Sequence, residues 1–574
     1  LILDYRFPAG SLKSVNVFAR LQSDFHDHRT VLNYLDRRID FTYRGGTNTI
    51  DMATNSLDFN QDFGWFSMQL KFANTYSKNA LPDSPYLIYR QTGGTGGEVA
   101  VNKKPEDLKT QVEYYGPDKT YLFNLNLFET TYKENRQEYS ENFRVPFRLG
   151  PLLHGYLKFG RQFRRGTHNN DQETPYGELR RGSAINNAMV DTLVSRFGVD
   201  YDPSTGMFSA VHFMGDRKLM GPFLDNQFGK FYWAADPSLP LAMAHYLRTD
   251  TNFVNKSTGT NAGGWFEGMF QHLANDYRYV ERYSAGYAMT ELNLPPLGEV
   301  FGLGPFVGAL TLVGGVRYER VTSDYTAYNM RDARSPQDQE DYYEKVTAHP
   351  GNKFLLPMAQ AKLKLLRGLD LRYAYSQTLA RPDYHQLSPK FTISYDGNNV
   401  WAGNPKLKTA HAYNHDAQIS IHGSKLGLLS VGAFYKKVEN FTYYTQYKLH
   451  KTAPAGLDSL ASFRVTFPGG GFSEPKDGAW LYTYVNGRSP AYVKGIEFDF
   501  QTNFWYLPGV LSGLVLGVNY AHMKSEAVYP LRDEKTVPNP NWKPGSKEPR
   551  VLVFTTDSTR EGRLIYQPDD VANA

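Results

Sequence analysis

Apolar and polar residues alternate along much of the chain, in stretches of about ten residues. Apolar side chains occupy every second position in Trp65–Tyr76, Tyr121–Thr130 and Leu310–Glu319. Because successive side chains of a strand point to opposite faces, each stretch predicts a strand with one apolar and one polar face. The same alternation recurs in Leu369–Ser376, Ile496–Gln501 and Leu514–Tyr520.

The lengths of these segments and of their connections indicate a membrane barrel. Soluble strands usually have about five or six residues, whereas a tilted membrane strand has about 9–11. Short turns such as Pro8–Gly10 and Leu507–Gly509 alternate with long polar stretches, which is typical of an outer-membrane barrel. The sequence therefore predicts an all-β fold, a transmembrane antiparallel β-barrel, with a soluble sandwich as the alternative. The expected long loops lie at about 77–119, 167–276, 324–352, 379–410, 441–490 and 525–566.

Two uncharged runs, Val300–Val316 and Gln501–Met523, could be mistaken for membrane helices. Glycine and proline interrupt both runs at turn-like positions, including Gly302 and Pro508. A helix long enough to span lipid does not need such interruptions, so we interpret both runs as hairpins. Strands in lipid must then close into a barrel, because every backbone group there has to be paired.

Composition narrows the classes of protein without deciding between them. The chain has 574 residues, a formal net charge of +5, 41 tyrosines, 36 phenylalanines and no cysteine. The lack of cysteine excludes disulfides, thiolate metal sites and a cysteine nucleophile. A charge so near balance does not indicate a nucleic-acid partner. The mean hydropathy of -0.51 argues only against a helical membrane protein, because half of each barrel strand faces water.

The residues that could carry chemistry form no complete site in the sequence. The pairs His26/His28 and His411/His415 each lack the third ligand that a metal ion needs. Gly93–Gly97 is rich in glycine, but the Lys-Ser/Thr step of a phosphate-binding loop does not follow it. No Gly-x-Ser-x-Gly nucleophile motif occurs. We expect no catalytic residues, no metal and no cofactor, and hence a protein that is not an enzyme.

The segment Tyr373–Pro389, followed by Gly403–Lys408, resembles the barrel of TonB-dependent outer-membrane transporters, particularly those of Bacteroidetes. The resemblance extends from about residue 280 to the end and, more weakly, over the first 170 residues. Further matching segments are Glu281–Leu294, Leu312–Glu319, Phe434–Glu439 and Gln567–Asn573.

This resemblance implies an integral protein of the Gram-negative outer membrane that imports an external ligand, with TonB pulling on a plug domain. The ligand could be a siderophore, cobalamin, glycan or peptide. The family's barrel has about 22 strands, of which this chain supplies roughly 14–16, and no segment resembles the plug. We therefore expect residues 1–574 to be a partial barrel within a longer polypeptide. Outer-membrane lipid and a surface lipoprotein are the other expected partners.

Two other kinds of function remain open at this point. One is a porin-like barrel, or a structural barrel subunit of a surface assembly. The other is a secreted β-sandwich that acts as an adhesin or binds glycans. The first would work without a plug, and the second would dissolve without detergent.

Four residues are candidates for a surface that faces the substrate. Arg381 and Tyr384 stand where a strand enters a long loop, and could line the mouth of the barrel. The alternative, which we favour, is that Pro382 ends the strand and Arg381 pairs locally. Asn404, in the Gly403–Lys408 motif, and Trp233, in an aromatic loop segment, complete the set.

Trp505 and Tyr506 flank the Leu507–Gly509 turn. Aromatic residues are enriched where a barrel wall meets the membrane–water interface. We therefore assign these two side chains to an aromatic girdle, a structural role.

Overall fold

The computed structural model describes most of the chain. The described residues are 1–573 apart from 35, 96–111, 216–233, 254–262, 267–272, 303, 305, 332–342, 367, 395, 424, 426, 452–457 and 467–469.

The described residues form one large antiparallel sheet whose strands follow each other as a meander. Each strand pairs with the next one in the order β1 to β15. The strands are β1 Ile2–Phe7, β2 Gly10–Asn33, β3 Arg38–Asp62, β4 Ser67–Thr92, β5 Tyr121–Leu149, β6 Leu153–Glu173, β7 Tyr277–Leu294, β8 Leu310–Arg331, β9 Gly351–Leu366, β10 Leu369–Ala380, β11 Ala410–Gly423, β12 Gly427–Glu439, β13 Ala491–Asn503, β14 Val515–Pro538 and β15 Asp570–Asn573.

The register carries the predicted apolar face across the sheet. Leu371, Ile419, Val431, Phe498 and Tyr520 lie opposite one another on β10 to β14, and they are 37–51% exposed. Exposed apolar side chains aligned over five strands form the outward band of a membrane barrel. The prediction of an all-β transmembrane barrel is therefore confirmed.

Tight turns join the strands at one end of the sheet, here named the short-turn end. Phe7 lies opposite Gly10, and Leu366 lies opposite Leu369. Gly368, between the last two, has a φ of 93°, a conformation that glycine adopts without steric cost.

The two uncharged runs contain short helical turns. Leu297–Phe301 is a helix at the start of the first run, and Gly509–Gly513 is a 3₁₀ helix between β13 and β14. Among the described residues, no helix has both the length and the apolar character needed to cross a membrane.

At the opposite end, named the long-loop end, strands and loops build a folded cap. Helices Ala184–Phe197 and Ser238–Thr249 lie here, with 3₁₀ helices Pro117–Lys119, Ala210–Phe213 and Leu460–Phe463. The short strands are Tyr176–Gly177, Tyr201–Asp202, Met207–Phe208, Trp265–Phe266, Tyr343–Ala348, Phe391–Ile393, Asn399–Ala402, Thr442–Leu449, Val465–Thr466, Phe472–Ser473, Ala479–Asn486 and Val551–Gly562.

The largest hydrophobic core of the described residues lies in this cap. Leu125 and Leu127 of β5 are fully buried there with Met189, Met243 and Trp265. The alternating segment Tyr121–Thr130 thus turns its apolar face toward protein, although its pattern is the same as that of a strand in lipid. β5 has 29 residues, far more than the bilayer requires, so its upper part has to find protein to cover it.

Candidate functional site

Charged residues line the inner face of the barrel wall on β6 to β8. Arg164 Nη2 lies 2.7 Å from Glu281 Oε1, and Arg317 Nε lies 2.7 Å from Glu319 Oε1. Arg381, at the end of β10, forms a second ion pair with Glu319. These residues alternate with the outward apolar positions, so they point into the lumen. We name Arg164, Glu281, Arg317, Glu319 and Arg381 the inner charge ladder.

Tyr283 sits at the centre of this ladder. Its hydroxyl donates to Glu319 over 2.9 Å and accepts a hydrogen bond from Arg317 over 2.7 Å. The guanidinium carbons of Arg164 and Arg381 lie 4.7 and 5.3 Å from the centre of its ring. Each cation of the ladder therefore has a carboxylate or a ring as its partner, and the wall is preorganised.

Aromatic side chains lie above the ladder, toward the long-loop end. The Tyr384 ring centre is 5.6 Å from His168, 5.6 Å from Tyr277 and 6.2 Å from Tyr279. Tyr325 lies 5.3 Å from Tyr279. We name these five residues the aromatic cluster. Its rings come from β6, β7, β8 and the segment after β10, so only the assembled wall brings them together.

Burial sets the protonation of this cluster. It lowers the pKa of His168, against the opposing charge of Glu134, which favours the neutral ring near pH 7. Burial also raises the pKa of Tyr279 to about 12. The Tyr279 hydroxyl is within hydrogen-bond distance of Ser323 Oγ, at 2.9 Å. The cluster therefore presents neutral rings with polar edges, a surface suited to stacking and hydrogen bonding.

A buried amine fixes the segment that follows the cluster. Lys390 Nζ donates a hydrogen bond to the carbonyl of Ala274. Burial lowers the pKa of Lys390 to about 8, while the charge of Asp276 acts in the opposite direction. The sequence alone gave no reason to select this lysine.

The four candidates for a substrate-facing surface meet different outcomes. Arg381 and Tyr384 both reach the inner wall, and the partner of Arg381 lies two strands away on β8 rather than in its own loop. The side chain of Asn404 is held by backbone, because its Nδ2 donates to the Tyr484 carbonyl over 2.8 Å and its Oδ1 accepts from the Lys406 amide over 3.0 Å. Trp233 lies outside the described residues.

The two residues assigned to the girdle lie at the short-turn end. Trp505 is 56% and Tyr506 is 40% exposed, and their ring centres are 5.9 Å apart. Trp65, which is 70% exposed, occupies the turn between β3 and β4 at the same end. A girdle role for Trp505 and Tyr506 remains a prediction, and Trp65 belongs with them.

Three of the four paired histidines have uncharged side chains within hydrogen-bond distance. His26 Nδ1 lies 2.7 Å from the Tyr43 hydroxyl, His411 Nε2 lies 2.9 Å from Gln377 Oε1, and His415 Nδ1 lies 2.9 Å from the Tyr373 hydroxyl. Within the described part of the chain, no three potential metal ligands come together.

The sequence reading missed an aromatic face on the cap. Strands Asn399–Ala402, Thr442–Leu449 and Ala479–Asn486 form a small sheet, and one of its faces carries Trp401, Tyr444, Trp480, Tyr482 and Tyr484. Trp401 is 44% and Tyr444 is 61% exposed. The signal was present in the alternation of Trp480, Tyr482 and Tyr484, but a fragment of eight residues is indistinguishable from a short membrane strand.

Comparisons with known proteins identify the family by sequence. The family model described as "TonB dependent receptor-like, beta-barrel" matches residues 147–546, more than half of the chain. Among curated proteins, none matches this sequence.

Solved structures with a similar fold include the hemophore receptor HasR of Serratia marcescens, with 10% identity, a TM-score of 0.40, and 92% of this chain and 61% of that chain covered. The siderophore receptor PirA of Acinetobacter baumannii is 10% identical, with a TM-score of 0.39, and the match covers 92% of this chain and 58% of that chain. The alcaligin receptor FauA of Bordetella pertussis is 8% identical, with a TM-score of 0.30, and the match covers 90% of this chain and 58% of that chain. The chain thus spans less than two thirds of the length of each of these three proteins.

These structural likenesses are weak, so the sequence match carries the assignment. Members of the matched family are integral proteins of the Gram-negative outer membrane, which agrees with the exposed apolar band on the outward face. The chain belongs to the TonB-dependent receptor family, as part of its β-barrel.

Proposed function

We propose that this protein takes up an external ligand across the outer membrane, with TonB acting on a plug domain to open the lumen. The single observation that carries the proposal is the family match over residues 147–546. The inner wall supports it, because aromatic rings and paired charges converge there at the long-loop end rather than lining a bare aqueous pore.

The aromatic cluster and the inner charge ladder are the proposed contact surface for the ligand. Tyr384 offers a ring for stacking, and the side chain of Arg381, which is bound to Glu319, is one third exposed. Rings with polar edges, combined with a partly exposed cation, fit a ligand that has ring systems and oxygen acceptors. The ligand class therefore includes siderophores, cobalamin and glycans, and a peptide is the weakest fit.

The aromatic face of the cap is the proposed first contact for ligand or partner. Trp401 and Tyr444 are exposed beyond the barrel wall, and such residues are enriched in interfaces. A surface lipoprotein that covers the long-loop end would meet this face. In this proposal the lipoprotein helps the barrel to capture the ligand.

Uptake in the native host tests the proposal. Strains with and without the gene, each with and without functional TonB, are given labelled ferric citrate, haem, cyanocobalamin, a linear oligosaccharide and a labelled peptide. We expect the uptake of one probe to fall to background when either the gene or TonB is lost. Uptake that needs the gene but persists without TonB would indicate a passive pore, and uptake of every probe without the gene would also contradict the proposal.

Variants then test the contact surface with the probe so identified. We expect Tyr384→Ala to weaken binding of that probe by roughly tenfold, since an aromatic contact of this kind contributes about 1 kcal/mol or more. Tyr435→Ala is the matched control, because Tyr435 is a tyrosine on the outward face of the wall, 42% exposed. An equal loss of probe binding in the two variants would show that the aromatic cluster is not the contact surface for the ligand.

A further inference from the structure

The aromatic face of the cap differs in composition from the lipid-facing band of the barrel wall. Residues directly opposite each other on paired strands share a face. The register of the three cap strands therefore assigns to this face Asn399, Trp401, Thr442, Tyr444, Gln446, Lys448, Trp480, Tyr482, Tyr484 and Asn486. These residues are aromatic rings, amides and a few other polar groups, and they include no Leu, Ile or Val. The band on the wall is built on aliphatic side chains such as Leu371, Ile419 and Val431, so the aromatic face is not suited to lipid.

The two faces of this small sheet have separate tasks. Val400, Tyr447 and Leu481 point to the other side, where they are buried in a hydrophobic core. That core holds the sheet in place, whereas Trp401 and Trp480 remain exposed on the aromatic face. Large apolar groups that a fold leaves in contact with water mark a binding surface.

The rings lie in rows across the strands. The ring centres of Trp401 and Tyr482 are 6.0 Å apart, with planes within 14° of parallel, and those of Tyr444 and Tyr484 are 5.3 Å apart. Side chains on one face of a strand recur about every 6.6 Å, so the three rows from Tyr444 to Lys448 extend over about 13 Å. This length exceeds that of a single sugar ring and fits a short chain of rings.

Two amides on this face have no partner within the described part of the chain. Gln446 lies directly opposite Tyr482, and Asn399 lies directly opposite Trp480. Neither side chain makes a hydrogen bond with another described residue. Each amide offers two donors and an acceptor. Free amides beside exposed rings suit a ligand whose rings have apolar faces and hydroxyl groups around the rim, which is the chemistry of a sugar.

The charge of the aromatic face is neutralised within the protein. Lys448 Nζ lies 2.9 Å from Glu534 Oε2 and 5.5 Å from the centre of the Trp480 ring. The ammonium group therefore already has a carboxylate and a ring as partners. A face without excess charge favours a neutral ligand over an anionic one.

We propose that the aromatic face of the cap binds a neutral oligosaccharide chain. The C–H groups of sugar rings pack against the aromatic faces, which carry partial negative charge, while Gln446 and Asn399 bind hydroxyl groups. Protein interfaces are enriched in methionine and arginine as well as aromatic residues, and this face has neither, so its chemistry favours a sugar over a protein partner. The inference names the ligand class for capture at this face, and in that respect it rests on the proposed function.

Oligosaccharide binding by the full protein in neutral detergent tests the proposal. Isothermal titration uses maltohexaose, cellohexaose, xylohexaose and mannohexaose as neutral probes, and hexagalacturonic acid as the charged probe. We expect at least one neutral probe to bind, with an affinity that does not change with salt concentration, and the charged probe to bind no more tightly. The proposal is overturned if no neutral probe binds, or if the charged probe binds best and is released by salt.

Variants of the rings locate the binding. Trp401→Ala/Tyr444→Ala should weaken binding of the neutral probe about tenfold or more, because two stacking contacts are lost. Trp505→Ala/Tyr506→Ala is the matched control, since it removes the same two types of exposed ring at the short-turn end. It should bind like the unchanged protein, and an equal loss in both variants overturns the proposal. Trp401→Phe/Tyr444→Phe keeps two rings on the face and should retain most of the affinity, which separates lost stacking from lost folding.

A variant of the amide separates sugar binding from general apolar adhesion. Gln446→Leu should weaken binding about fivefold, because hydrogen bonds to hydroxyl groups are lost. Stronger binding by Gln446→Leu would overturn the proposal. So would a lipoprotein that copurifies with the unchanged protein and is lost in Trp401→Ala/Tyr444→Ala while no hexasaccharide binds, because the face is then a protein interface. These measurements need neither uptake nor TonB, so this inference and the proposed function can fail independently.

Discussion

Arginines on the inner and outer faces of the same strands differ in whether a carboxylate pairs with them. Arg164 points inward and pairs with Glu281, whereas its neighbour Arg165 points outward and has no carboxylate partner among the described residues. Glu319 joins two arginines on the inner wall, whereas Arg320 lies directly opposite another cation on the outer wall. The inner wall supplies counterions for its arginines here, whereas Arg165 and Arg320 have no carboxylate partner among the described residues. One step along the chain therefore decides whether a charge at this level of the wall is paired within the protein.

The largest expected loss of stability comes from removing a carboxylate of the inner wall. Glu319→Gln leaves Arg317 and Arg381 without their shared carboxylate, in a wall where Glu319 is only 12% exposed. Discounted for the partial exposure of both arginines, the expected loss is about 2 kcal/mol of unfolding free energy. Urea unfolding of the protein in neutral vesicles measures it.

Asp324→Asn is the matched outer-wall control, because this carboxylate also has two partners, the Arg282 guanidinium and the His349 ring. It is well exposed, so its loss should be much smaller than that of Glu319→Gln. Equal losses for the two variants would mean that the inner ladder has no special stability.

A sharper form of the comparison uses two consecutive arginines. Arg164→Gln removes the ion pair with Glu281 and the cation above Tyr283, and should cost about 1 kcal/mol. Arg165→Gln should not lower the unfolding free energy in neutral vesicles, because no ion pair is lost and a like-charge contact with Arg282 is relieved. The same urea series measures both, and a larger loss for Arg165→Gln would reverse the assignment of the two faces.

A weaker effect of opposite sign is expected on the outer wall. In neutral vesicles at low salt, Arg320→Gln/Lys353→Gln should raise the unfolding free energy by about 0.3 kcal/mol, because a repulsive cross-strand pair is relieved. The gain should shrink as salt rises and the Debye length falls. A loss of stability that does not depend on salt would show that these side chains stabilise the fold by packing instead.

The smallest expected effect concerns pH in the aromatic cluster. Burial holds the pKa of His168 below the value of about 6.5 that it has when unfolded. Between these two values the unfolded state binds more protons, so the stability from the neutral ring is fully present above about pH 6.5 and falls as the pH is lowered.

His168→Gln should flatten that part of the pH profile while leaving the profile above pH 7 parallel to that of the unchanged protein. Unfolding midpoints measured from pH 5 to 8 provide the test. His349→Gln is the control, because His349 is exposed and lies beside Asp324 on the outer wall. An unchanged slope in His168→Gln would place the titration elsewhere.

The period of two was enough to predict the wall and which face each residue takes. Val316 and Tyr318 are outward and exposed and Arg317 and Glu319 are inward, as the alternation indicates. The same pattern could not distinguish lipid from protein as the cover of an apolar face, so Leu125 and Leu127 read like membrane residues although they lie in the core of the cap. The periodicity shows that one face of the strand is apolar. Whether lipid or protein packs against that face depends on how far the strand extends beyond the membrane.

The candidate site was predictable only in part. Arg381 and Tyr384 were selected because a strand ends beside them, but the favoured local pairing of Arg381 is replaced by Glu319, 62 residues away in the chain. His168 and Tyr277 had no signal of their own, because each meets Tyr384 only when the strands from β6 to β10 have assembled into the wall. A side chain's function here depends on partners from other strands, and sequence distance hides them.

What the sequence by itself determined is the alternation, and with it the membrane barrel and the division of charges between two faces. The steric rule that successive side chains of a strand point in opposite directions needs no tertiary information. The tertiary structure alone decided the register, which places Glu319 within reach of two arginines and Arg320 opposite Lys353. Register sets distances of a few ångströms between residues far apart in the chain, and at those distances a pair of charges attracts or repels strongly enough to change the stability of the wall.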